Sequence, residues 1–492
     1  MVPSLDHVVS ERQQHDVPSL KLKLESLAAT ALDISPRKLR TKINKSWLAL
    51  GGDSLTAVNF MGYCHEAGIV VDIADILRAE SLDDLIDRIE QSQKYKQPAS
   101  NGIKSSYSPP QGPLLDRLRG VSRGPLDEIQ CIGPCSPMQE NFIALQSIDP
   151  RAYQLKLAVT ISSTDPAVVL TTETVRNSWI AVVKRHAALR TEFVESVDRP
   201  GKLDQVVWKD IEPQISISPF SEADNKTSFE AYGSKFPHHL ILGQAPDNKL
   251  SIRLIISHAV VDAVSIESLF RDLFRRLKGT LPADEQMQCG DFLQAQHPDT
   301  SHEALSYWAH YIEATEGSFL SSPSSKTSPV GLYTVDQIMP IPLELAQNFS
   351  DQSNATLVNA CQVAYALVLR CYTGASNVCF SYTASGRQKR IKGLQHAVGN
   401  FVNTLPCHVK LGGGITIAEA LEITQSDFLD SLPYQGTSLT GNQEMSGPSV
   451  RQLSDSLLSF QRGVPETELA EAGFAVDVVS WEAPSDVCDM LD

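Results

Sequence analysis

The sequence lacks several features that would assign it to a special class of protein. None of its 9 cysteines stands in a Cys-x-x-Cys pair, and Cys131 and Cys135, the two closest, have no His or Cys cluster nearby to complete a zinc site. Their odd number and wide spacing predict reduced thiols. The first residues, MVPSLDHVVSERQQHD, contain no apolar stretch typical of a signal peptide. The most apolar run, Leu357 to Cys371, is too short to span a bilayer and carries Arg370. These absences predict a cytoplasmic protein.

Basic residues are scarce relative to acidic ones. The chain has 42 Lys and Arg against 58 Asp and Glu, a formal net charge of −16, which disfavours binding to nucleic acids or anionic membranes. Hydrophobic residues make up 42% and charged residues 20%, and this balance excludes a mainly disordered chain. At about 150 residues per domain, 492 residues predict more than one folded unit.

Residues 20–93 predict a small four-helix bundle. Apolar residues recur at helical spacing in LKLKLESLAATALD, and Gly51-Gly52 precedes a second helix-compatible run. DIADIL and SLDDLIDRIEQSQ complete the set, with Ser81 as the N-cap of the last helix. Residues 94–126 are rich in Pro, Ser, Gly and Lys, so they predict an interdomain linker.

Residues 127–492 predict an α/β architecture with two lobes, about 127–300 and 301–492. The segments LKLAVTI, SIRLIISH and VCFSYTA are typical of strands. The segments TVRNSWIAVVKRHAALRTEF, AVSIESLFRDLFRRLKG and ATLVNACQVAYALVLRCYTG are typical of helices. Strands interleaved with helices over such a length favour the α/β class.

The first candidate site is Ser54 in the run G-G-D-S-L. The glycines permit a tight turn, and Ser54 then stands at a helix entrance where free N–H groups and the helix dipole favour an attached phosphate. Plain N-capping by Asp53 or Ser54 explains the same residues. The unit resembles a peptidyl carrier domain of nonribosomal peptide synthetases. The resemblance implies that Ser54 carries 4'-phosphopantetheine, transferred from coenzyme A by a phosphopantetheinyl transferase.

The second candidate site is His258, which ends a predicted strand four residues before Asp262. A neutral imidazole can accept a proton from an attacking amine near pH 7. The alternative is a hydrogen-bonded core histidine followed by a helix-capping aspartate, because the H-x-x-x-D spacing alone is a weak signal. No cluster of metal ligands is visible in the sequence, and the proposed chemistry needs no metal.

Most of residues 127–492 resemble the condensation domains of the same synthetases, which share the two-lobed fold of chloramphenicol acetyltransferase. The segments that carry the resemblance, in the family's order, are S-P-M-Q-E at 136–140, R-H-A-A-L-R-T-E-F at 185–193, I-S-H-A-V-V-D-A at 256–263, C-G-D-F-L at 289–293 and V-G-N-F-V-N-T-L-P at 398–406. The resemblance implies that His258 is an active-site residue, that Asp262 is structural and that Arg387 is its salt-bridge partner. We interpret Arg190 as a structural ion-pair donor, and Asn403 and Thr404 as residues that face a cleft.

Several positions depart from the family's H-H-x-x-x-D-G pattern. Ser257 replaces the first His, and Ala263 replaces the Gly, whose backbone angles Ala resists. The pattern S-H-x-x-x-D-x-x-S from Ser257 to Ser265 resembles fungal terminal condensation-like domains, which release peptides by cyclisation. The sixth motif, YQGTSLTG at 434–441, is poor, and the second lobe is expected to be truncated.

The resemblance implies that an amine attacks a carrier-bound peptidyl or aminoacyl thioester to form an amide. Terminal cyclisation and release is the first form of this hypothesis, and elongation with a carrier in trans is its rival. Adenylation and other synthetase modules, in cis or in trans, are the expected partners, with no nucleic acid and no membrane. A non-catalytic or degenerate carrier and docking module remains an alternative. A plant-type hydroxyl acyltransferase also uses H-x-x-x-D, but it explains neither the carrier unit nor V-G-N-F-V-N-T.

Overall fold

A computed structural model describes most of the chain. The described residues are 20–95, 125–150, 152–218, 237–245, 249–282, 287, 289–313, 315, 318–320, 337, 340–353, 355–389, 391, 393–439, 454–460 and 473–482. Within these ranges the side chains of residues 55, 92–95, 343, 344, 347, 351, 481 and 482 are not described. The chain divides into two compact units, Met1–Pro98 and Ala99–Asp492. The predicted linker lies almost entirely outside the described residues.

The first unit is helical. Its helices within residues 20–95 are α1 (Leu20–Ala31), α2 (Pro36–Arg40), α3 (Ser54–Glu66), α4 (Ile73–Arg78) and α5 (Leu82–Tyr95). The sequence predicted four of them and missed the five-residue α2, which begins with Ser35 as N-cap and Pro36 in its first turn. Side chains such as Leu24, Phe60 and Ile86 are fully buried between the helices.

The second unit is built on three sheets. Its strands are β1 (Ile129–Pro134), β2 (Gln154–Ser163), β3 (Thr191–Glu195), β4 (Leu203–Trp208), β5 (Gln214–Ile217), β6 (His238–Gln244), β7 (Leu250–Ser257), β8 (Asn377–Ala384), β9 (Asn403–Lys410), β10 (Leu457–Leu458) and β11 (Phe474–Glu482). The sheet orders are β1-β4-β3, β11-β2-β7-β6-β5 and β10-β8-β9. All pairs are antiparallel except β5 with β6 and β10 with β8.

Helices cover these sheets. They are α6 (Pro137–Ile148), α7 (Thr172–Arg185), α8 (Ala263–Leu277), α9 (Cys289–Gln296), α10 (His302–Glu313), α11 (Leu343–Ser353), α12 (Leu357–Thr373) and α13 (Ile417–Ser431). Helix α7 ends earlier than the sequence predicted, because His186 leaves the helical conformation and Thr191 begins β3. No helix in the described part of the chain has both the length and the apolar character needed to cross a bilayer.

The central strand β7 places the end of SIRLIISH in the middle of the first lobe. All eight of its residues are buried, because it pairs with β2 on one side and β6 on the other and both of its faces are covered. Strand β11, from the sequence range assigned to the second lobe, pairs with β2 in this same sheet. The first lobe therefore includes a strand that comes from the far end of the sequence.

One prediction about cysteine is wrong. Cys131 on β1 and Cys289 at the start of α9 form a disulfide, with their Cα atoms 6.4 Å apart. The two residues are 158 positions apart in the sequence, so only the folded chain reveals the pairing. Six other cysteines in the described residues are free thiols.

Candidate functional sites

Ser54 is the first residue of α3, and the capping role falls to its neighbour. The Asp53 carboxylate accepts a hydrogen bond from the Thr56 backbone N–H at 2.8 Å, and the Thr56 hydroxyl accepts one from the Asp53 N–H at 2.7 Å. This reciprocal pair closes the helix end. The Ser54 hydroxyl makes no hydrogen bond to any described residue, and its side chain is half-exposed.

Trp47 supports the turn that leads to Ser54. Its indole N–H lies 3.2 Å from the Thr56 hydroxyl and 3.3 Å from the Asp53 carbonyl, and the ring stacks on Phe60. A Cβ on Gly52 would lie 2.3 Å from the Trp47 Nε1 atom, so only glycine fits beneath this ring. Trp47 was not among the residues predicted from the sequence, because a lone tryptophan before G-G-D-S-L gives no signal of this contact.

His258 follows β7 directly and is half-buried. Its Nδ1 atom lies 2.7 Å from the carbonyl oxygen of Val261. Because a carbonyl only accepts hydrogen bonds, Nδ1 carries the proton, and Nε2 keeps an unprotonated lone pair in the neutral ring. Among the described residues, no group forms a hydrogen bond with Nε2. The His258 loop thus holds an imidazole in the tautomer of a base.

One face of helix α6 supports the His258 loop. Gln139 donates to the carbonyl of Ala259 at 3.0 Å, Phe142 stacks on the His258 ring at 4.8 Å, and Gln146 hydrogen-bonds the Ser257 hydroxyl. These three residues recur at helical spacing, so they lie on one side of the helix. Gln139 also closes the capping box with Ser136, which explains the residue types in S-P-M-Q. The helical spacing of Gln139, Phe142 and Gln146 is visible in the sequence, but it does not reveal that their partner is the His258 loop.

Tyr153 contributes a left-handed backbone conformation beside the histidine. Its φ angle is 51°, in a region that non-glycine residues seldom occupy. The Tyr153 carbonyl accepts from the His258 N–H at 2.8 Å, and its ring lies against Phe142. Such conformations cluster at functional sites, where surrounding contacts hold them.

Asp262 and Arg387 form a buried ion pair that joins the lobes. The Nη2 atom of Arg387 lies 2.6 and 2.8 Å from the two Asp262 oxygens, and Nε lies 3.1 Å from one of them. Arg387 also donates to the carbonyls of Leu394 and Ala397, and its guanidinium lies over the Phe401 ring. Both charged side chains are almost fully buried. Neither touches the His258 ring, so the pair fixes the loop rather than the imidazole.

Residue 263 causes no backbone strain. Asp262 is the N-cap of α8, with its carboxylate bonded to the Ser265 N–H, and Ala263 is the first helical residue. The expected difficulty of replacing Gly by Ala is therefore absent, because the position does not need a positive φ angle.

The segment V-G-N-F-V-N-T meets the His258 loop from the second lobe. Asn400 donates to the carbonyl of His258 at 2.6 Å, and Gly399 exchanges hydrogen bonds with the Ser265 hydroxyl. Asn403 lines a cleft, as predicted, while its side chain donates to the carbonyls of Gln435 and Thr437. Thr404 does not line this cleft and instead contacts the sulfur of Met138.

The interpretation of Arg190 as an ion-pair donor is wrong. Its guanidinium donates to the side chain of Gln130 and to the carbonyls of Trp208 and Lys209, and it forms no ion pair with a described residue. Burial lowers the pKa of Arg190. It joins the end of the turn after α7 to strand β4.

Comparison with known proteins identifies both units. Residues 129–480 match the family model "Condensation domain", and residues 23–89 match "Phosphopantetheine attachment site". Since the first match covers well over half of the chain, the chain belongs to the condensation-domain family. The chain consists of a carrier domain with a phosphopantetheine attachment site, followed by a condensation domain, an amide-forming acyltransferase-type domain.

The curated relatives are much longer proteins. The FR901469 synthetase of Dothideomycetidae sp. is 34% identical over 96% of this chain and 3% of its own length. The nonribosomal peptide synthetase cm3A of Cordyceps militaris is 31% identical over 91% of this chain and 10% of its own length. The chain therefore spans a small part of each of these relatives.

Solved structures share the fold. A structure described as SeMet-CT aligns with a TM-score of 0.58 at 20% identity, covering 77% of this chain and 86% of that one. The condensation domain of the Monacolin K polyketide synthase MokA aligns with a TM-score of 0.53 at 16% identity, covering 73% and 88%. The predicted fold class, a helical carrier domain plus a two-lobed α/β condensation domain, is confirmed.

The carrier unit fits a phosphopantetheine group at Ser54. The hydroxyl is half-exposed and makes no hydrogen bond to a described residue, and Asp53 already caps the helix. Ser54 is thus free for a phosphodiester bond at a helix N-terminus that favours negative charge. When bound, the group supplies a terminal thiol that can hold an acyl chain as a thioester.

Proposed function

We propose that the second unit catalyses attack of an amine on an acyl thioester, with His258 as the base. The observation that carries this proposal is the contact between the Nδ1 atom of His258 and the Val261 carbonyl, which favours one tautomer of the ring. Its Nδ1–H is held by the Val261 carbonyl at 2.7 Å, and its Nε2 lone pair has no partner among the described residues. A lone pair held in this way is suited to accept a proton from an amine near neutral pH.

The reaction balances with one base and no metal. The amine nitrogen forms a bond to the thioester carbonyl carbon, and the carbon–sulfur bond breaks. Nε2 of His258 takes the proton that the nitrogen loses, and that proton passes to the departing thiolate. The products are an amide and a thiol, and holding both reactants at one histidine supplies most of the rate advantage.

Asp262 and Arg387 act as positioning residues in this proposal. Asp262 caps α8 immediately after the loop that carries His258, and Arg387 ties that cap to the second lobe. Asn400 adds a second tie at the carbonyl of His258. These contacts support a histidine that is held between two lobes, where an acyl donor and an amine can approach it.

We further propose Ser54 as the attachment residue for 4'-phosphopantetheine and a phosphopantetheinyl transferase as the partner that modifies it. The boundaries 20–93 for the carrier domain, 94–126 for the linker and 127–492 for the condensation domain belong to the same proposal. Adenylation modules in cis or in trans would supply the acyl or peptidyl group.

The experiment uses the full chain with coenzyme A and a phosphopantetheinyl transferase. We expect intact-mass measurements to show one added phosphopantetheine group on the wild type and none on Ser54→Ala. When the added phosphopantetheine group carries a peptidyl thioester, the wild type should release an amide. His258→Ala should release it at least about 100-fold more slowly, which is the lower bound usual for loss of a general base. His310→Ala serves as the matched control, because His310 is highly exposed.

Two results would overturn the proposal. Modification of Ser54→Ala would place the attachment elsewhere, and equal amide release by wild type and His258→Ala would remove the catalytic role. The second result would favour the alternative of a non-catalytic carrier and docking module.

The finer reaction that we propose is terminal cyclisation, in which the amine belongs to the bound peptide itself. The pattern from Ser257 to Ser265 supports it by its resemblance to fungal terminal condensation-like domains. Elongation with an aminoacyl carrier in trans is the rival. A cyclic product formed without any second carrier would support cyclisation, and a linear product that appears only after a loaded carrier is added would support elongation.

A further inference from the structure

The five-stranded sheet of the first lobe has two different faces. On β7, the even-numbered residues belong to the hydrophobic core that also contains residues of α7 and α8. Successive side chains alternate between the faces of a strand, so Arg253 lies on the opposite face. It precedes Ser257 by four residues, which is about 13 Å along the strand, and it does not line the cleft that Asn403 lines. Arg253 is therefore remote from the contacts that hold the His258 loop.

Arg253 is buried without a partner among the described residues. It is 9% exposed, and its guanidinium forms no hydrogen bond or ion pair with another described residue. Solvent still reaches this group, because none of its nitrogen atoms is among the enclosed, unpartnered atoms of the described chain. An arginine is seldom buried unless its charge is paired. An anion that enters from outside the described chain would supply the missing partner.

The residues directly opposite Arg253 cannot compensate its charge. They are Ala158 on β2 and Ile241 on β6, and neither has a polar side chain. His239, two residues before Ile241, lies on the same face, and its Nε2 atom is 2.8 Å from the Ser216 hydroxyl. Burial and, after it, the charge of Arg253 lower the pKa of His239. The imidazole is therefore mainly neutral at neutral pH and adds no second charge.

Two other charged residues on this face have partners of their own. Lys156, which is diagonal to Arg253 on β2, already has an interaction partner. Asp477, on β11 two strands away, contacts Lys249 at 2.5 Å and the Thr160 hydroxyl at 3.4 Å. Arg253 therefore keeps one positive charge that a ligand can neutralise.

A carboxylate fits this charge and shape. A guanidinium binds the two oxygens of a carboxylate through a pair of parallel N–H bonds, and one negative charge neutralises one positive charge. We propose that Arg253 forms a binding site for a carboxylate group on this face of the sheet. The carboxylate belongs either to a free organic acid or to the C-terminus of a peptide. The inference does not depend on the catalytic role of His258.

The experiment measures binding by the stabilisation that a ligand gives to the folded protein. The melting temperature of the full-length protein is recorded against increasing concentrations of three probes, at constant ionic strength and neutral pH. The probes are acetate, N-acetylglycylglycine, which ends in a carboxylate, and N-acetylglycylglycinamide, which has the same chain without the charge.

We expect the wild type to bind at least one carboxylate probe about tenfold or more tightly than the uncharged amide, because hydrogen bonds between charged groups are strong. Arg253→Met should bind that probe at least about tenfold more weakly. Arg176→Met, at a partly exposed arginine of α7, should behave like the wild type. Binding of the peptide acid about tenfold tighter than that of acetate would identify a peptide as the source, and equal affinities would identify a free acid.

A second measurement separates a ligand site from a structural contact. In buffer without carboxylates, Arg253→Met should melt no lower than the wild type, because it removes a buried charge that has no partner. Arg387→Met, which breaks a buried ion pair, is the contrasting variant and should melt at a lower temperature.

The inference fails if the wild type does not prefer a carboxylate to the amide, or if Arg253→Met binds carboxylates equally well. Tighter binding of inorganic phosphate than of either carboxylate would overturn the choice of ligand. A clearly lower melting temperature of Arg253→Met without ligand would show that protein groups hold the guanidinium, which would also overturn the site. None of these results bears on amide release, which the His258→Ala assay tests separately.

Discussion

At the scale of single residues, Asp262 connects helix α8 with the second lobe. Its carboxylate caps helix α8 through Ser265, and it pairs with Arg387 from the second lobe. A buried carboxylate that loses its cationic partner keeps the cost of desolvation without the compensating attraction. Removing Arg387 is therefore expected to cost more free energy of unfolding than the net attraction of the ion pair contributes, because the Asp262 carboxylate would stay buried without a partner.

We predict that Arg387→Met lowers the free energy of unfolding of the second unit by about 3–5 kcal/mol. Removing the guanidinium leaves the Asp262 carboxylate buried and unpaired. Lys184→Met breaks an exposed ion pair with Asp210 and should cost less than about 1 kcal/mol. Urea unfolding followed by circular dichroism measures both, and similar losses in the two variants would contradict the prediction.

Trp47 gives a second prediction at this scale. Trp47→Phe keeps an aromatic ring on Phe60 but removes the indole N–H that contacts Thr56 and Asp53. We expect the rate of Ser54 modification by a phosphopantetheinyl transferase to fall about fivefold, as loss of one hydrogen bond of about 1 kcal/mol implies. The readout is initial rate by intact mass.

Trp308→Phe is the matched control for this rate measurement. Its indole N–H also donates to a backbone carbonyl, that of Tyr434, but in the other unit. It should leave the modification rate unchanged. An equal effect of both substitutions would show that Trp47 does not position the Ser54 turn.

At the scale of elements, one turn decides how β8 leads into the segment that carries Arg387. Gly386 has a φ angle of +65°, and a Cβ there would lie 1.8 Å from the carbonyl oxygen of Phe401. Gly413 has a similar φ angle of +71°, but a Cβ there would meet no atom within 4 Å. An alanine substitution at Gly413 tests the free-energy cost of the backbone conformation alone. The same substitution at Gly386 adds the cost of crowding against Phe401.

We predict that Gly413→Ala costs about 1–2 kcal/mol, the price of a left-handed conformation with a Cβ. Gly386→Ala should cost about 1–3 kcal/mol more, because the Phe401 backbone must move. Melting temperatures of the two variants, measured under identical conditions, test this order. Equal decreases would mean that the Phe401 segment moves aside freely.

At the scale of the whole molecule, the disulfide between Cys131 and Cys289 ties β1 to the helix whose other end lines the cleft. Burial raises the pKa of Cys135, four residues after Cys131, well above its ordinary value, so this thiol stays protonated and is a poor nucleophile.

We predict that Cys289→Ala destabilises the second unit by about 2–4 kcal/mol, the usual contribution of a native disulfide. Dithiothreitol should lower the melting temperature of the wild type towards that of the variant and leave the variant unchanged. Cys371→Ala, at an exposed free thiol, is the control. A wild type that melts at the same temperature with and without reductant would contradict the prediction.

The sequence identified the local features of this protein because each depends on neighbouring residues. Short runs of apolar and capping residues predict the strand that leads to His258, the helix that Asp262 caps and the turn before Ser54. The predicted order of motifs also led to the fold class. The short helix α2 was missed because five residues give too weak a periodic signal.

Only the tertiary structure decided which distant residues meet. It joined Cys131 to Cys289 and returned β11 to the sheet of the first lobe, whereas the pairing of Asp262 with Arg387 had been implied by the family resemblance. It also replaced the expected ion pair of Arg190 by contacts with the Gln130 side chain and with the carbonyls of Trp208 and Lys209. Hydrophobic periodicity predicts a helix or strand and its buried face, but the same apolar face could pack against many other helices or strands. The pairing is fixed only when all elements pack at once.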